Sequence, residues 1–307
     1  YYSQRINYGR QNTTLGAFTL ELPASGEGDE SIRNIAIGYG ALQNIEDRVN
    51  TLAVAIGCNA LQSGGSNSDI AIGNQALSAG NNVPGSTGKN IAIGDNAMVG
   101  GIASDGGNNI AIGTSALSTF LGNVSNNIAI GNLAGSSVSS GANNVFLGAD
   151  AGRLVSNGTH NTFLGTEAGE SVTSGITNTF VGRQAGISFT TGNNNVIIGG
   201  FGGTATGYIS QNSNIFISDG TGQVRIFATG STGHVGFNTL TPNFKVQVGG
   251  TLAAELSTAS DNSNIVSYNS STDEIQFTPS MSIDTNALNP SGSGGVNTNT
   301  YLVLNNG

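Results

Sequence analysis

One short frame, Asn-x-x-x-Gly-x-x-Ala, recurs along most of this chain, and a sequence built that way has few folds open to it. With the Gly as position zero, copies centre on Gly38, Gly57, Gly73, Gly94, Gly113, Gly131, Gly148, Gly165, Gly182 and Gly199. Their spacings are 19, 16, 21, 19, 18, 17, 17, 17 and 17 residues. Variable lengths early and a fixed length later predict loops inserted on one side of a constant coil. Degenerate copies flank the array, "NTTLG" at Asn12 to Gly16 and "NIFIS" at Asn214 to Ser218.

Four residues before the Gly stands Asn in eight of ten copies, namely Asn34, Asn90, Asn109, Asn127, Asn144, Asn161, Asn178 and Asn195, with Ala53 and Asp69 in the others. Asn tolerates the left-handed conformation and bonds nearby backbone, so a corner is expected there. The Gly, as in Gly148, Gly165 and Gly182, is expected at the opposite corner, where a side chain would clash or φ is positive. Three residues lie between, such as Ile35-Ala36-Ile37. So short a strand cannot stand alone and gains stability only by stacking on the next copy, which makes a solenoid.

Two positions vary together. The residue four after each Gly and the mid-strand residue of the following copy pair as Leu42 with Ala55, Leu61 with Ala71, Leu77 with Ala92, Met98 with Ala111 and Leu117 with Ala129. The order then inverts to Gly135 with Phe146, Gly152 with Phe163, Gly169 with Phe180, Gly186 with Ile197 and Gly203 with Phe216. Close-packed interiors accept one large and one small residue in a slot, so these pairs are expected to share a layer between adjacent coils. In "NIAIG" the two Ile face one way and the Ala the other, and neither side carries charge. A strand apolar on both faces is usually covered on both. A thin coil has one interior, so the second face is expected to pack on other copies of the chain, most economically as a homotrimer.

Composition fits a polar-surfaced β rod. Charged residues are 9% of the 307 positions, against roughly 25% in typical domains, and Gly fills 48 positions. The net charge of −9 disfavours nucleic acid or an anionic membrane as partner. No run approaches the roughly 18 apolar residues of a membrane span. Cys58 is the single cysteine and excludes an intrachain disulfide; neighbouring repeats hold Asn, Asp or Thr at its position, so it reads as a plain thiol.

The repeat frame divides the chain into a segment with a degenerate copy (1–31), a repeat solenoid (32–213), a β-rich module (214–283) and a linker with a terminal strand (284–307). The module alternates apolar and polar residues around Gly-rich turns. Within it a polar stretch, Ser257 to Ser271, precedes a strand at "EIQFTP", Glu274 to Pro279. A last strand is expected at "TYLVLN", Thr300 to Asn305.

The "NTFLGxxAG" copies followed by "GHVGFNTLTPNFKVQVGGTL" resemble the shafts of bacteriophage tail fibres, in which a Gly-rich array precedes a motif of the form V-G-I-G-T-x-x-P-x-x-K-L-x-V-x-G. The match falls on Val235, Gly236, Thr239, Pro242, Lys245, Val248 and Gly250, with departures at Phe237 and Asn238 and in local spacing. "SSTDEIQFTPS", Ser270 to Ser280, is also similar to segments of such fibres, and together the resemblance spans about residues 32 to 280. The "NIAIG…A" copies are similar, too, to the head repeats of trimeric autotransporter adhesins. The resemblance implies a virion structural protein, partnered by tail or baseplate proteins and by a host surface receptor such as a polysaccharide. The adhesin alternative implies a bacterial cell surface.

Catalytic signals are few. His160 and His234 lie 74 residues apart without an acidic or Cys partner nearby, a poor metal pattern. Asp150 and Glu167 share the position two after the Gly in adjacent coils, where a retaining-glycosidase spacing is reachable. Equivalent positions hold Asn59, Gln75, Asn96, Ser115 and Gln184, so the pair reads as part of a solvated polar row, and a polysaccharide-degrading tailspike ranks third. No cofactor, metal or enzymatic activity is expected. The inserts at Gly64 to Ser68, Asn81 to Gly88 and Gly100 to Gly107 are the loops expected to meet other surfaces. The reading is an all-β, elongated β-solenoid of short repeats, trimeric, followed by a small β-rich module.

Overall fold

The computed structural model describes residues 11–20, 33–43, 52–63, 68–79, 89–100, 107–119, 124–203 and 207–249, and the backbone of two strands at 264–269 and 274–279. The three insert loops, the linker and the terminal strand lie almost wholly outside the described residues. The chain divides into two units, Tyr1–Thr251 and Leu252–Gly307.

The first unit is a β-solenoid carrying one strand per coil: β1 (Thr13–Leu15), β2 (Ile35–Ile37), β3 (Val54–Ile56), β4 (Ile70–Ile72), β5 (Ile91–Ile93), β6 (Ile110–Ile112), β7 (Ile128–Ile130), β8 (Val145–Leu147), β9 (Thr162–Leu164), β10 (Thr179–Val181), β11 (Val196–Ile198) and β12 (Ile215–Ser218). All twelve pair in parallel and in register, so Phe146, Phe163 and Phe180 stand directly above one another. At strand spacing the stack rises on the order of 50 Å. The ladder continues around the corners. Gly152 N–H donates to Ala168 O at 2.9 Å, and Ser156 N–H to Thr173 O at 2.9 Å. The sheet passes residues 213/214 without a break. Beyond them β13 (Val224–Ala228) runs antiparallel to β12, β14 (Val235–Phe237) antiparallel to β13, and β15 (Val246–Val248) parallel to β14. In the second unit β16 (Asn264–Asn269) and β17 (Glu274–Pro279) form an antiparallel pair. The β17 strand falls on the expected "EIQFTP", whereas β16 lies in the stretch read as merely polar. Its alternation is masked by Ser and Asn flanking Ile265, Val266 and Tyr268.

Each coil from Gly16 to Gly182 turns through three left-handed residues, at positions −5, +2 and +4 from the repeat Gly. In the ninth coil these are His160 (φ 59°), Glu167 (59°) and Gly169 (59°). The repeat Gly has a φ no side chain accepts readily, 136° at Gly165 and 132° at Gly182. A Cβ on Gly165 would stand 2.5 Å from the carbonyl oxygen of Gly182. Backbone therefore stacks on backbone along this column.

The corner expected at the Asn is displaced by one residue. The left-handed residue is the one before, as in Asn143, His160 and Thr177. Asn144, Asn161, Asn178 and the other repeat Asn are buried. From Asn90 to Asn195 each Asn Oδ1 accepts the backbone N–H of the next coil's Asn, at 2.9–3.1 Å. Nδ2 donors join the same ladder, Asn178 Nδ2 reaching Asn161 Oδ1 at 3.2 Å. Asn161 Nδ2 also donates to Gly175 O at 2.8 Å. The side chain fastens one coil to the next and also ties across its own coil, because burial leaves its amide no water to bond.

The large-and-small slot exists: Gly135 meets Phe146 of the following coil as expected, but from Gly152 to Gly186 the slot lies one coil off its expected place. The side chain nearest a Cβ on Gly152 is Phe146, and on Gly169 it is Phe163; both glycines are filled by the ring of their own coil. Position +4 of these coils lies under the strand of the same turn, so Phe163 pairs with Gly169 and Phe180 with Gly186. Gly135 is the seam: its coil carries Ala129 as well, and its space is taken by Leu117 from before and Phe146 from after. Early coils hold Leu or Met at +4 in the left-handed region, Leu61 at 52° and Met98 at 50°. That conformation costs about 1–2 kcal/mol, offset by about 1.5–3 kcal/mol for burying the side chain. Later coils put Gly where φ is positive and move the bulk to Phe in the strand, where aromatics fit well. Phe163 and Phe180 stack with centroids 4.9 Å apart. The column ends in Phe216, Phe227 and Tyr208.

Candidate functional site

The strand alternation separates two surfaces. From β2 to β12 the middle side chain points inward and is fully buried. Its two neighbours point outward, and over β1–β12 these twenty-four flanking positions hold Ile, Val or Leu except for Thr13, Thr162 and Thr179. Leu147 and Leu164 are each 40% exposed and Ile198 46%. Between them the columns shield one another, so the stripe is half-buried by its own repetition. Twenty-four partly open side chains leave on the order of 1,000 Å² of contiguous apolar surface, beyond what monomers usually show. No charge interrupts it.

Polar groups pair on the surface away from the stripe, where Leu52, Leu154 and Ile176 are also exposed. Arg153 Nε lies 3.3 Å from Asp150 Oδ1, and its guanidinium also pairs with Glu170. Glu167 accepts Gln184 Nε2 at 2.7 Å. Asp150 and Glu167, on adjacent coils, are thus each engaged by a different neighbour. His160 is exposed, its Nε2 3.4 Å from Asn143 Nδ2, and His234 Nδ1 lies 3.0 Å from Pro242 O. Cys58 is exposed. Among the described residues no three His, Cys, Asp or Glu gather as a metal site, and no helix is long and apolar enough to cross a membrane.

The segment carrying the V-G…T…P…K motif is folded around its glycines and prolines. Val235 and Gly236 lie in β14, and a Cβ on Gly236 would sit 2.7 Å from Thr239 Cγ2. Val235 N–H donates to Lys245 O at 2.8 Å, which starts the parallel pairing with β15. Gly250 lies outside the described residues. At the solenoid's end Asp219 closes the β12–β13 turn, accepting Thr221 Oγ1 at 2.7 Å, Gln223 N at 3.1 Å and Arg225 Nη2 at 2.6 Å. Those bonds, first from the Thr221 hydroxyl and then from Arg225, hold its carboxyl well below the usual carboxylate range. Burial pushes the Tyr208 phenol upward.

A second glycine column escaped the sequence reading. Gly141, Gly158, Gly175 and Gly192 recur at position +10, and a Cβ on Gly158 would meet Gly175 O at 2.6 Å. Val138, Val155, Val172 and Phe189 at +7 are buried beside it. The 17-residue period, compared column by column, carries both signals.

No family model, curated protein or solved structure matches the chain.

Proposed function

We propose that this chain is a structural component of a bacteriophage tail fibre, a rigid homotrimeric shaft that carries host-recognition surfaces. The observation that carries the assembly is the uncharged stripe along β1–β12. A partner for it must be apolar over the same length and at the same strand spacing, and a second and third copy of the chain meet both conditions. The area available exceeds the roughly 800 Å² per partner of a standard interface. The fibre itself rests on the tail-fibre-like repeats and the "GHVGFNTLTPNFKVQVGG" segment. Three stiffly linked chains convert weak surface contacts into avidity, because each later contact forms at high effective concentration. Tail or baseplate proteins and a receptor on the host surface are the partners of this reading, and the virion its location.

Mass in solution tests the assembly. Sedimentation of the full chain is expected to give three times 30.8 kDa. A folded β-rich monomer overturns the trimer and removes the support it gives the fibre. The NIAIG copies favour a second reading, a trimeric cell-surface adhesin. Antibody labelling separates the two, decorating virions in the first case and bacterial cells in the second.

A further inference from the structure

The later coils share a polar corner whose sequence is Ser139-Ser140-Gly141, Ser156-Asn157-Gly158, Thr173-Ser174-Gly175 and Thr190-Thr191-Gly192 in successive turns. One coil alone places Asn before the corner glycine. Asn157 is exposed. Ser156 Oγ lies 2.7 Å from Asn157 Oδ1 and 3.2 Å from Thr173 O, and donation along the shorter contact draws electron density from the side-chain carbonyl carbon. The Gly158 N–H has no acceptor among the described residues, so this nitrogen is not held by the ladder, though Gly158 itself is buried behind the exposed Asn157.

We infer that Asn157 is a site of spontaneous covalent change, a deamidation that proceeds without an enzyme and goes beyond the assembly reading. The Gly158 nitrogen gives up its proton to solvent base and attacks Asn157 Cγ. The new C–N bond closes a five-membered succinimide, and the bond from Cγ to the side-chain nitrogen breaks. Ammonia leaves with the returned proton. Water then opens the ring at either carbonyl, giving aspartate or isoaspartate. No oxidant or other reactant is needed.

The isoaspartate product disturbs the stacking of this coil. It adds a methylene to the backbone between Val155, which is buried, and Gly158, whose carbonyl accepts Asn144 Nδ2 at 2.9 Å. Gly158 is also stacked so closely on Gly175 that a Cβ would stand 2.6 Å from its carbonyl oxygen. The coils on either side keep the same 17-residue period, so a longer path breaks the close stacking at this corner. Ageing at this one corner therefore loosens the ladder locally, while the Ser and Thr of the neighbouring coils are inert.

The sequence supplies its own control. Cleavage after Arg153 and Arg183 releases Leu154–Arg183, which holds Asn157 together with the buried ladder residues Asn161 and Asn178. After incubation of the full chain at mildly alkaline pH, this peptide is expected to gain about one dalton, localised by fragmentation to Asn157, with isoaspartate as a product. Ser156→Ala is expected to slow the gain and Asn157→Ser to abolish it. The aged wild type should melt lower than fresh protein, and aged Asn157→Ser should not. No gain at Asn157, or an equal gain at Asn161 or Asn178, overturns the inference. An unchanged rate in Ser156→Ala overturns the part given to the hydroxyl.

Discussion

Phe163 occupies the space over Gly169 of its own coil, where a Cβ on the glycine would stand 2.5 Å from Cδ2 of the ring. The early coils solve the same layer in reverse, with Ala in the strand and Leu or Met at the corner. Phe163→Ala is expected to cost about 3–5 kcal/mol in denaturant unfolding. Adding Gly169→Leu should restore part of that loss, because Leu42, Leu61 and Leu77 already occupy this left-handed position at 49–55°. Gly152→Leu should not rescue it, since Phe146 fills that site. Equal rescue by both would show that the slot spans coils.

The Asn ladder should be intolerant of truncation. Asn161→Ala leaves the N–H of Asn178 without its acceptor and Gly175 O without its side-chain donor, and removes one of the two acceptors of Asn178 Nδ2, which keeps Gly192 O. Each buried unsatisfied group costs about 1–3 kcal/mol, so a total on the order of 3–5 kcal/mol is expected by chemical denaturation. The exposed neighbour His160→Asn, which suits the left-handed position, serves as control and should change stability by less than about 0.5 kcal/mol.

Charge on the stripe should separate assembly from folding. Leu147→Lys and Leu164→Lys place ammonium groups on side chains that are 40% exposed in the single chain. Circular dichroism is expected to keep the β spectrum while sedimentation shifts from trimer to monomer. A double variant that stays trimeric would place the contact on another face.

The turn closed by Asp219 should be acid-sensitive. Its carboxyl is held below the ordinary value of 3.8, so the folded state favours the ionised form. The stabilisation is complete above that ordinary value and is lost as pH falls through the lower folded one. Amide exchange in the Thr221–Arg225 segment is expected to stay slow down to mildly acidic pH and to quicken well below it. Asp219→Asn should show faster exchange at neutral pH and little further change on acidification.

The fold was legible because the repeat is local. A three-residue strand between Asn and Gly, returned every 17 residues, leaves stacking as its only route to stability, and all ten full copies and both degenerate ones became strands where the frame put them. The uncharged flanks of each strand were equally plain. β16 was not, because Ser and Asn interrupt its apolar run and its pairing partner, β17, supplies what propensity lacks.

The sequence by itself determined that coils stack in register, that Gly is required at position zero, and that bulk at the strand and bulk at +4 exclude each other. Which coil supplies each half of that pair was decided by the tertiary structure, since the left-handed turn at +4 carries the chain back beneath its own strand. The same holds for Asn, whose short amide suits a corner or a ladder equally well. Burial decided between them: once the neighbouring coil removed water from that edge, the amide bonded the adjacent Asn of the ladder and the carbonyl of the corner glycine.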